Sequence, residues 1–185
     1  LPLLSIRDYF VKVLLFANTE WYLYNFLRSL ALALRDAGHE VLLVSPPGPN
    51  GEKLESLGFR WVPAPMQRRS LNPFRELSLL LWLRRLIKEH QPGVVHGFTI
   101  KCAVYGLLAA RLAGTTGRVG SIAGLGYVFI SDDLRARLLR PVVRSLLRLS
   151  LGGQSARVIV QNSDDSNLVA NSRIVERSQI RLIRG

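Results

Sequence analysis

Four short stretches hold the residues whose chemistry could serve a ligand. The first, "FANTEWYLYNF" (16–26), offers Asn18, Glu20, Trp21 and Tyr24. An amide, a carboxylate and aromatic faces together suit a sugar or another polyol, although Trp21 and Tyr24 would serve equally as packing at a helix start. The stretch contains no glycine, so the G-x-G-x-x-G cradle that lets a backbone approach a pyrophosphate is missing, which argues against NAD or FAD at this loop. The second, "QRRSLNP" (67–73), puts Arg68 and Arg69 just ahead of Asn72, a helix cap followed by proline. That pair is either a solvated surface feature or a phosphate contact shared with helix N-terminal amides. The third, "HGFTIK" (96–101), carries His96, Thr99 and Lys101. A cation opening a helix opposes the macrodipole and favours an anionic ligand or an acidic neighbour, whereas a lone histidine ending a buried strand is either a structural residue or a catalyst. In the fourth, "IAGLGYVFISDD" (122–133), Gly124 and Gly126 would admit a neutral sugar beside Tyr127, the alternative being a tight strand-to-helix turn. Asp132 and Asp133, in or beside the first turn of the next helix, would repel a phosphate.

The elements that must position these residues follow from apolar patterning. Continuous apolar runs at 11–16, 39–45, 58–65, 93–98, 118–124, 157–162 and 179–185 are expected strands. Helical spacing is expected over 22–37, from the Asn72 cap to about 90, over 101–113, over 133–150 with Ser131 as cap, and near 164–170. Residues 46–51 are expected to form a surface loop. Strands that are apolar throughout and alternate with long helices predict an α/β fold, one doubly wound, mostly parallel, Rossmann-like domain over 11–185. In such sheets ligands bind beyond the carboxyl ends of the strands, where the four stretches fall.

Charge narrows the partners. The 185 residues carry 25 Lys and Arg against 13 Asp and Glu, a formal +12, which attracts nucleic acid, anionic lipid or phosphorylated substrates. Arg137, Arg140, Arg144 and Arg148 recur at three- and four-residue spacing beside Leu138, Leu139, Val142, Val143, Leu146, Leu147, Leu149 and Leu151. That basic amphipathic helix suits an anionic membrane surface; a core helix with solvated arginines and a nucleic-acid backbone surface are the alternatives. No aromatic-and-basic module pattern appears, so no specific nucleic acid is expected. Charges interrupt every apolar stretch before the roughly 18–20 residues of a membrane span. One cysteine, Cys102, excludes an internal disulfide and fits a reducing cytosol. No P-loop, trusted Ser-His-Asp order or metal-ligand cluster is present, so catalytic residues stay unassigned and no metal is expected. Residues 1–10 are expected to be a frayed or non-native leader.

Taken in order, "KVLLFANTEWYLYNF", "RRSLNPF", "VVHGFTIKCAVYGLLAARLAG", "SIAGLGYVFI" and "VIVQNSDD" resemble the amino-terminal half of bacterial family 4 glycosyltransferases of the GT-B fold. The similarity is greatest to those that extend undecaprenyl-diphosphate-linked sugars with N-acetylgalactosamine or another hexose. The resemblance implies a retaining transferase of two Rossmann-like domains, acting in cell-surface glycan biosynthesis on the cytoplasmic face of the membrane. The amino-terminal domain would hold a lipid-diphosphate-linked or polysaccharide acceptor. The UDP-sugar and a two-glutamate motif would belong to a carboxy-terminal domain expected outside this chain, leaving the fragment inactive alone and without a cofactor of its own. A lipid diphosphate would then lie near Arg68, Arg69 and Lys101, and its sugar near Asn18, Glu20, Trp21 and loop 124–127. Many relatives have a histidine aligned with about Ala123, where this sequence reads "SIAGLG", so no catalytic histidine is assigned there; separately, Pro92-Gly93 replaces a usual Pro-Asp before the fourth strand, a change expected to affect only a turn. The competing expectation is a non-enzymatic basic α/β module that binds membrane or nucleic acid.

Overall fold

The computed structural model describes residues 10–122, 129 and 133–184. Seven strands form one all-parallel sheet: β1 (Lys12–Phe16), β2 (Glu40–Ser45), β3 (Arg60–Pro63), β4 (Val94–Phe98), β5 (Gly117–Ser121), β6 (Ala156–Val160) and β7 (Ile180–Leu182). Their order is β3-β2-β1-β4-β5-β6-β7. Each expected strand is present, although β3 is shorter than 58–65, its ladder ending where Ser45 pairs with Pro63, a residue with no N–H to donate. The sheet is buried because both of its faces are apolar. Leu14, Phe16, Leu42, Val44, Val95, Val158 and Val160 point one way into the larger core, and Val13, Leu15, Val41, Leu43 and Phe98 the other way into the smaller. Burying each such side chain contributes about 1.5–3 kcal/mol, which overrides local preference and fixes the register.

The smaller core is covered by α1 (Glu20–Tyr22), a π-helical turn (Leu23–Leu27), α2 (Arg28–Asp36) and α3 (Gly51–Ser56). The helix expected over 22–37 therefore starts two residues earlier, where Thr19 Oγ1 accepts from Tyr22 N at 3.1 Å. The loop expected over 46–51 runs into α3, a helix too short to show periodicity, held by the single fully buried Leu54. The larger core is covered by α4 (Pro73–His90), α5 (Ile100–Ala113) and α6 (Leu134–Leu151), which lie side by side with α5 in the middle. Asn72 caps α4 as expected, its Oδ1 accepting from Phe74 N and Arg75 N at 3.0 and 3.4 Å, with Pro73 in the first turn. Gly114, at φ +88°, ends α5 in the left-handed region that glycine enters without a Cβ penalty. Last come α7 (Ser163–Asn171), capped by Asn162, and a 3-10 turn (Arg177–Gln179) before β7.

Candidate functional site

From β1 the chain steps outward to β3, crosses back on α4 to β4, and then steps outward the other way. The loops after β1 and β4 therefore diverge and open a crevice at the switch point. A cavity of about 270 Å³ lies there, lined by Asn18, Arg68, Arg69, Thr99, Ile100 and Lys101. Three separated stretches of the sequence thus meet at one place. Asn18 comes from the β1 loop, the arginines from the β3–α4 loop, and Thr99 to Lys101 from the start of α5.

Arg68 and Arg69 are exposed and form no ion pair among the described residues. Lys101 is spent differently. Its Nζ donates to Gln67 O at 2.7 Å, Ser70 O at 3.1 Å and Glu76 Oε1 at 2.7 Å. The acidic neighbour that a cation at a helix start calls for is Glu76, in the first turn of α4. Its carboxylate and burial push the nearby Tyr105 hydroxyl up to about 12, with burial the larger cause. Glu76 carried a signal only as an acid in a helix first turn, and Ile100 carried none. Thr99 sits at φ +74°, a left-handed value that costs a β-branched residue on the order of 1–3 kcal/mol.

The other expected residues that the structure describes do not line this cavity. Glu20 is buried, accepts from Asn50 Nδ2 at 3.3 Å and packs so closely on Gly48 that a Cβ there would fall 2.3 Å from the carboxylate. It faces the β2–α3 loop. Trp21 is exposed and meets Phe26 edge-on at 5.4 Å, and Tyr24 packs on the smaller core with Arg28 and Lys53 over its ring. Asn72 is engaged as the α4 cap. His96 stacks on Phe98 at 4.0 Å and its Nε2 lies 2.7 Å from Ser121 Oγ. Burial pushes its pKa down to about 3, so the imidazole is neutral at physiological pH. Gly124, Gly126, Tyr127 and the expected cap Ser131 lie outside the described residues.

The four arginines expected to form a basic face on α6 are placed unequally. Arg144 Nε donates to Ser172 O at 2.7 Å and Arg148 Nε to Arg173 O at 2.6 Å, so both arginines also tie α6 to the end of α7. Arg137 is exposed, and Arg140 has a partner of its own. The apolar side also divides. Leu147 and Leu151 are fully buried and Val143 and Leu146 pack on the core, whereas Leu138, Val142 and Leu149 are exposed. Among the described residues no helix is long and apolar enough to cross a membrane, and no three His, Cys, Asp or Glu side chains converge as a metal site.

Comparison with known proteins adds to this geometry. The fold is shared with a glycosyltransferase from Rickettsia africae (TM-score 0.67, 17% identity, 95% of this chain and 43% of that one). It is shared equally with the UDP-GlcNAc 2-epimerase of Methanocaldococcus jannaschii (TM-score 0.66, 12% identity, 93% of this chain and 45% of that one). Fold alone therefore does not separate transfer from epimerisation. Sequence is more discriminating. Over 142 residues the chain is 30% identical to the N,N'-diacetylbacillosaminyl-diphospho-undecaprenol alpha-1,3-N-acetylgalactosaminyltransferase of Campylobacter jejuni, covering 77% of this chain and 38% of that enzyme. The chain thus spans well under half the length of the curated relative it matches. The profile of the glycosyl transferase 4-like domain matches residues 25–185, and the chain belongs to that family.

Proposed function

We propose that this chain is the acceptor-binding domain of a retaining glycosyltransferase that moves a hexose or N-acetylhexosamine from a UDP-sugar to a lipid-diphosphate-linked acceptor. The observation that carries the reading is the 30% identity to an enzyme named for a diphospho-undecaprenol substrate, extending over 77% of the chain. The switch-point cavity supports it, because Arg68 and Arg69 line it and planar guanidinium forks match phosphate oxygens. Asn18 and Thr99 add hydroxyl and amide groups to that lining, suited to a neutral sugar. In this reading a second Rossmann-like domain in the same polypeptide supplies the UDP-sugar, and the acceptor's lipid places the enzyme peripherally on the cytoplasmic leaflet.

The test is transfer by the whole polypeptide carrying this domain. Radiolabelled UDP-N-acetylgalactosamine, UDP-N-acetylglucosamine, UDP-glucose and UDP-galactose are each supplied with a polyprenyl-diphosphate-linked saccharide. Label should move into the organic phase with at least one donor and fall at least tenfold for Arg68→Ala with Arg69→Ala, the loss expected when charge-assisted phosphate contacts go. Label passing only into free polysaccharide would reassign the acceptor. No transfer from any donor, joined to salt-sensitive binding of DNA on filters, would favour the basic binding module.

A further inference from the structure

We propose that Lys101 is a positioning residue, an ammonium clamp that holds the turn 67–70 so that Arg68 and Arg69 stand as a preformed fork at the switch-point cavity. The inference rests on the reading of that cavity as a diphosphate site. Lys101 lines the cavity, and its charge would suggest direct contact with an anion. Its hydrogen bonds point elsewhere. An ammonium has three N–H groups, and all three are committed to Gln67 O, Ser70 O and Glu76 Oε1. Gln67 and Ser70 are the first and last residues of the turn that carries both arginines, closed by Ser70 N donating to Gln67 O at 3.3 Å. Lys101 thus grips the turn at both of its feet, and an anion could claim it only by opening the turn.

Glu76 makes the grip possible. The Lys101 and Glu76 side chains are only 18% and 11% exposed, so neither charge would be held there unpaired. Pairing also cancels the lysine's field and leaves the two arginines as the cations that face the opening. The Tyr105 ring lies under the ammonium, its centroid 5.9 Å from Nζ. Further anchors fix the turn's flanks: Arg75 Nη1 donates to Gln67 Oε1, and Asn72 N donates to Ser70 Oγ at 3.2 Å. A turn held at so many points pays little ordering entropy on binding, which is the purpose of preorganisation.

Lys101→Met alone would strand the buried Glu76 carboxylate, so the test removes both charges together, as Lys101→Met with Glu76→Leu, a swap that similar-volume apolar residues tolerate. Trypsin, which cuts after arginine, reports the turn, farnesyl diphosphate binding by calorimetry reports the fork, and the melting temperature reports global folding. Cleavage after Arg68 and Arg69 should quicken by roughly tenfold or more while the melting temperature holds. Binding should weaken by roughly tenfold. On an Arg68→Ala/Arg69→Ala background the paired change should weaken binding no further, because a residue that acts only through the arginines has nothing left to position. Unchanged cleavage in the paired variant overturns the clamp, and so does an additional loss of binding on the double-alanine background, which would mark Lys101 as a direct contact. If the double-alanine protein binds farnesyl diphosphate as tightly as wild type, it is the diphosphate reading that fails, and proteolysis still judges the clamp.

Discussion

His96 and Lys101 stand five residues apart in one motif and show what a residue's type leaves open. Both could be written as ligand contacts from the sequence. The fold instead gives His96 a hydroxyl at 2.7 Å and a stacked phenyl ring, and gives Lys101 three oxygen partners. The histidine makes a pH prediction. Its folded-state pKa, pushed by burial from 6.5 down to about 3, lies below the unfolded value, so between those limits the unfolded chain binds more protons than the native one. Stability contributed by neutral His96 is fully present above pH 6.5 and declines as pH falls toward 3, with a slope of up to about 1.4 kcal/mol per pH unit. Burial lowers His90 as well, in the same sense. Thermal unfolding followed from pH 7.5 to pH 4 should show the melting temperature dropping, and His96→Gln should flatten that drop while keeping a hydrogen-bonding partner for Ser121. An identical pH slope in wild type and variant would mean that His96 is not the titrating group.

At the scale of elements, the site depends on how closely α5 lies against β4. Gly97 makes the approach possible, since a Cβ there would fall 2.6 Å from Cys102 O and 2.9 Å from Ala103 Cα, both backbone atoms that cannot rotate away. Gly97→Ala should therefore push the start of α5, with Thr99 and Lys101, off the sheet and cost about 3 kcal/mol, measurable as a lowered denaturation midpoint. A variant with wild-type stability would show that the helix can shift without loss. Element α6 teaches a different lesson. Its arginine periodicity is real, yet Arg144 and Arg148 satisfy carbonyls at the end of α7, while Arg111 and Arg118 reach from α5 and β5 to Leu149 O, Ser150 O and Gly152 O. Basic side chains at helix ends are good partners for orphan carbonyls, and a single-helix pattern gives no sign of which neighbour will use them.

For the whole molecule, α4 and α6 leave several large apolar side chains exposed. Leu77 and Leu81 on α4 are 53% and 54% exposed, and Leu138 and Val142 on α6 are 66% and 54% exposed. Arg85, Lys88 and Arg137 are exposed on the same helices, and Phe74 at the start of α4 is 81% exposed. In a chain of net charge +12, the proposed function predicts that these two helices meet the anionic bilayer from which a lipid-anchored acceptor would be drawn. Co-sedimentation with phosphatidylglycerol vesicles at low salt should fall several-fold for Leu77→Asp with Leu81→Asp, and for Leu138→Asp with Val142→Asp, at unchanged melting temperature. Undiminished sedimentation of both variants would remove the membrane from the reading.

What the sequence determined by itself was the strand runs and the longer helices, which local periodicity and capping set. Seven apolar runs became seven parallel strands and Asn72-Pro73 opened α4, because burial of apolar side chains and capping of free amides act over a few residues. Element α3 escaped for the same reason, being too short to carry a period. Only the tertiary structure decided which polar groups meet. Asn18, Arg68, Arg69, Thr99 and Lys101 converge because the strand order reverses between β1 and β4. Glu20 and His96 are drawn into partnerships with Asn50 and Ser121, residues 30 and 25 positions away. A charged or polar side chain takes whichever partner the fold brings within about 3 Å, and that choice is made by sheet topology, which no spacing along the chain records.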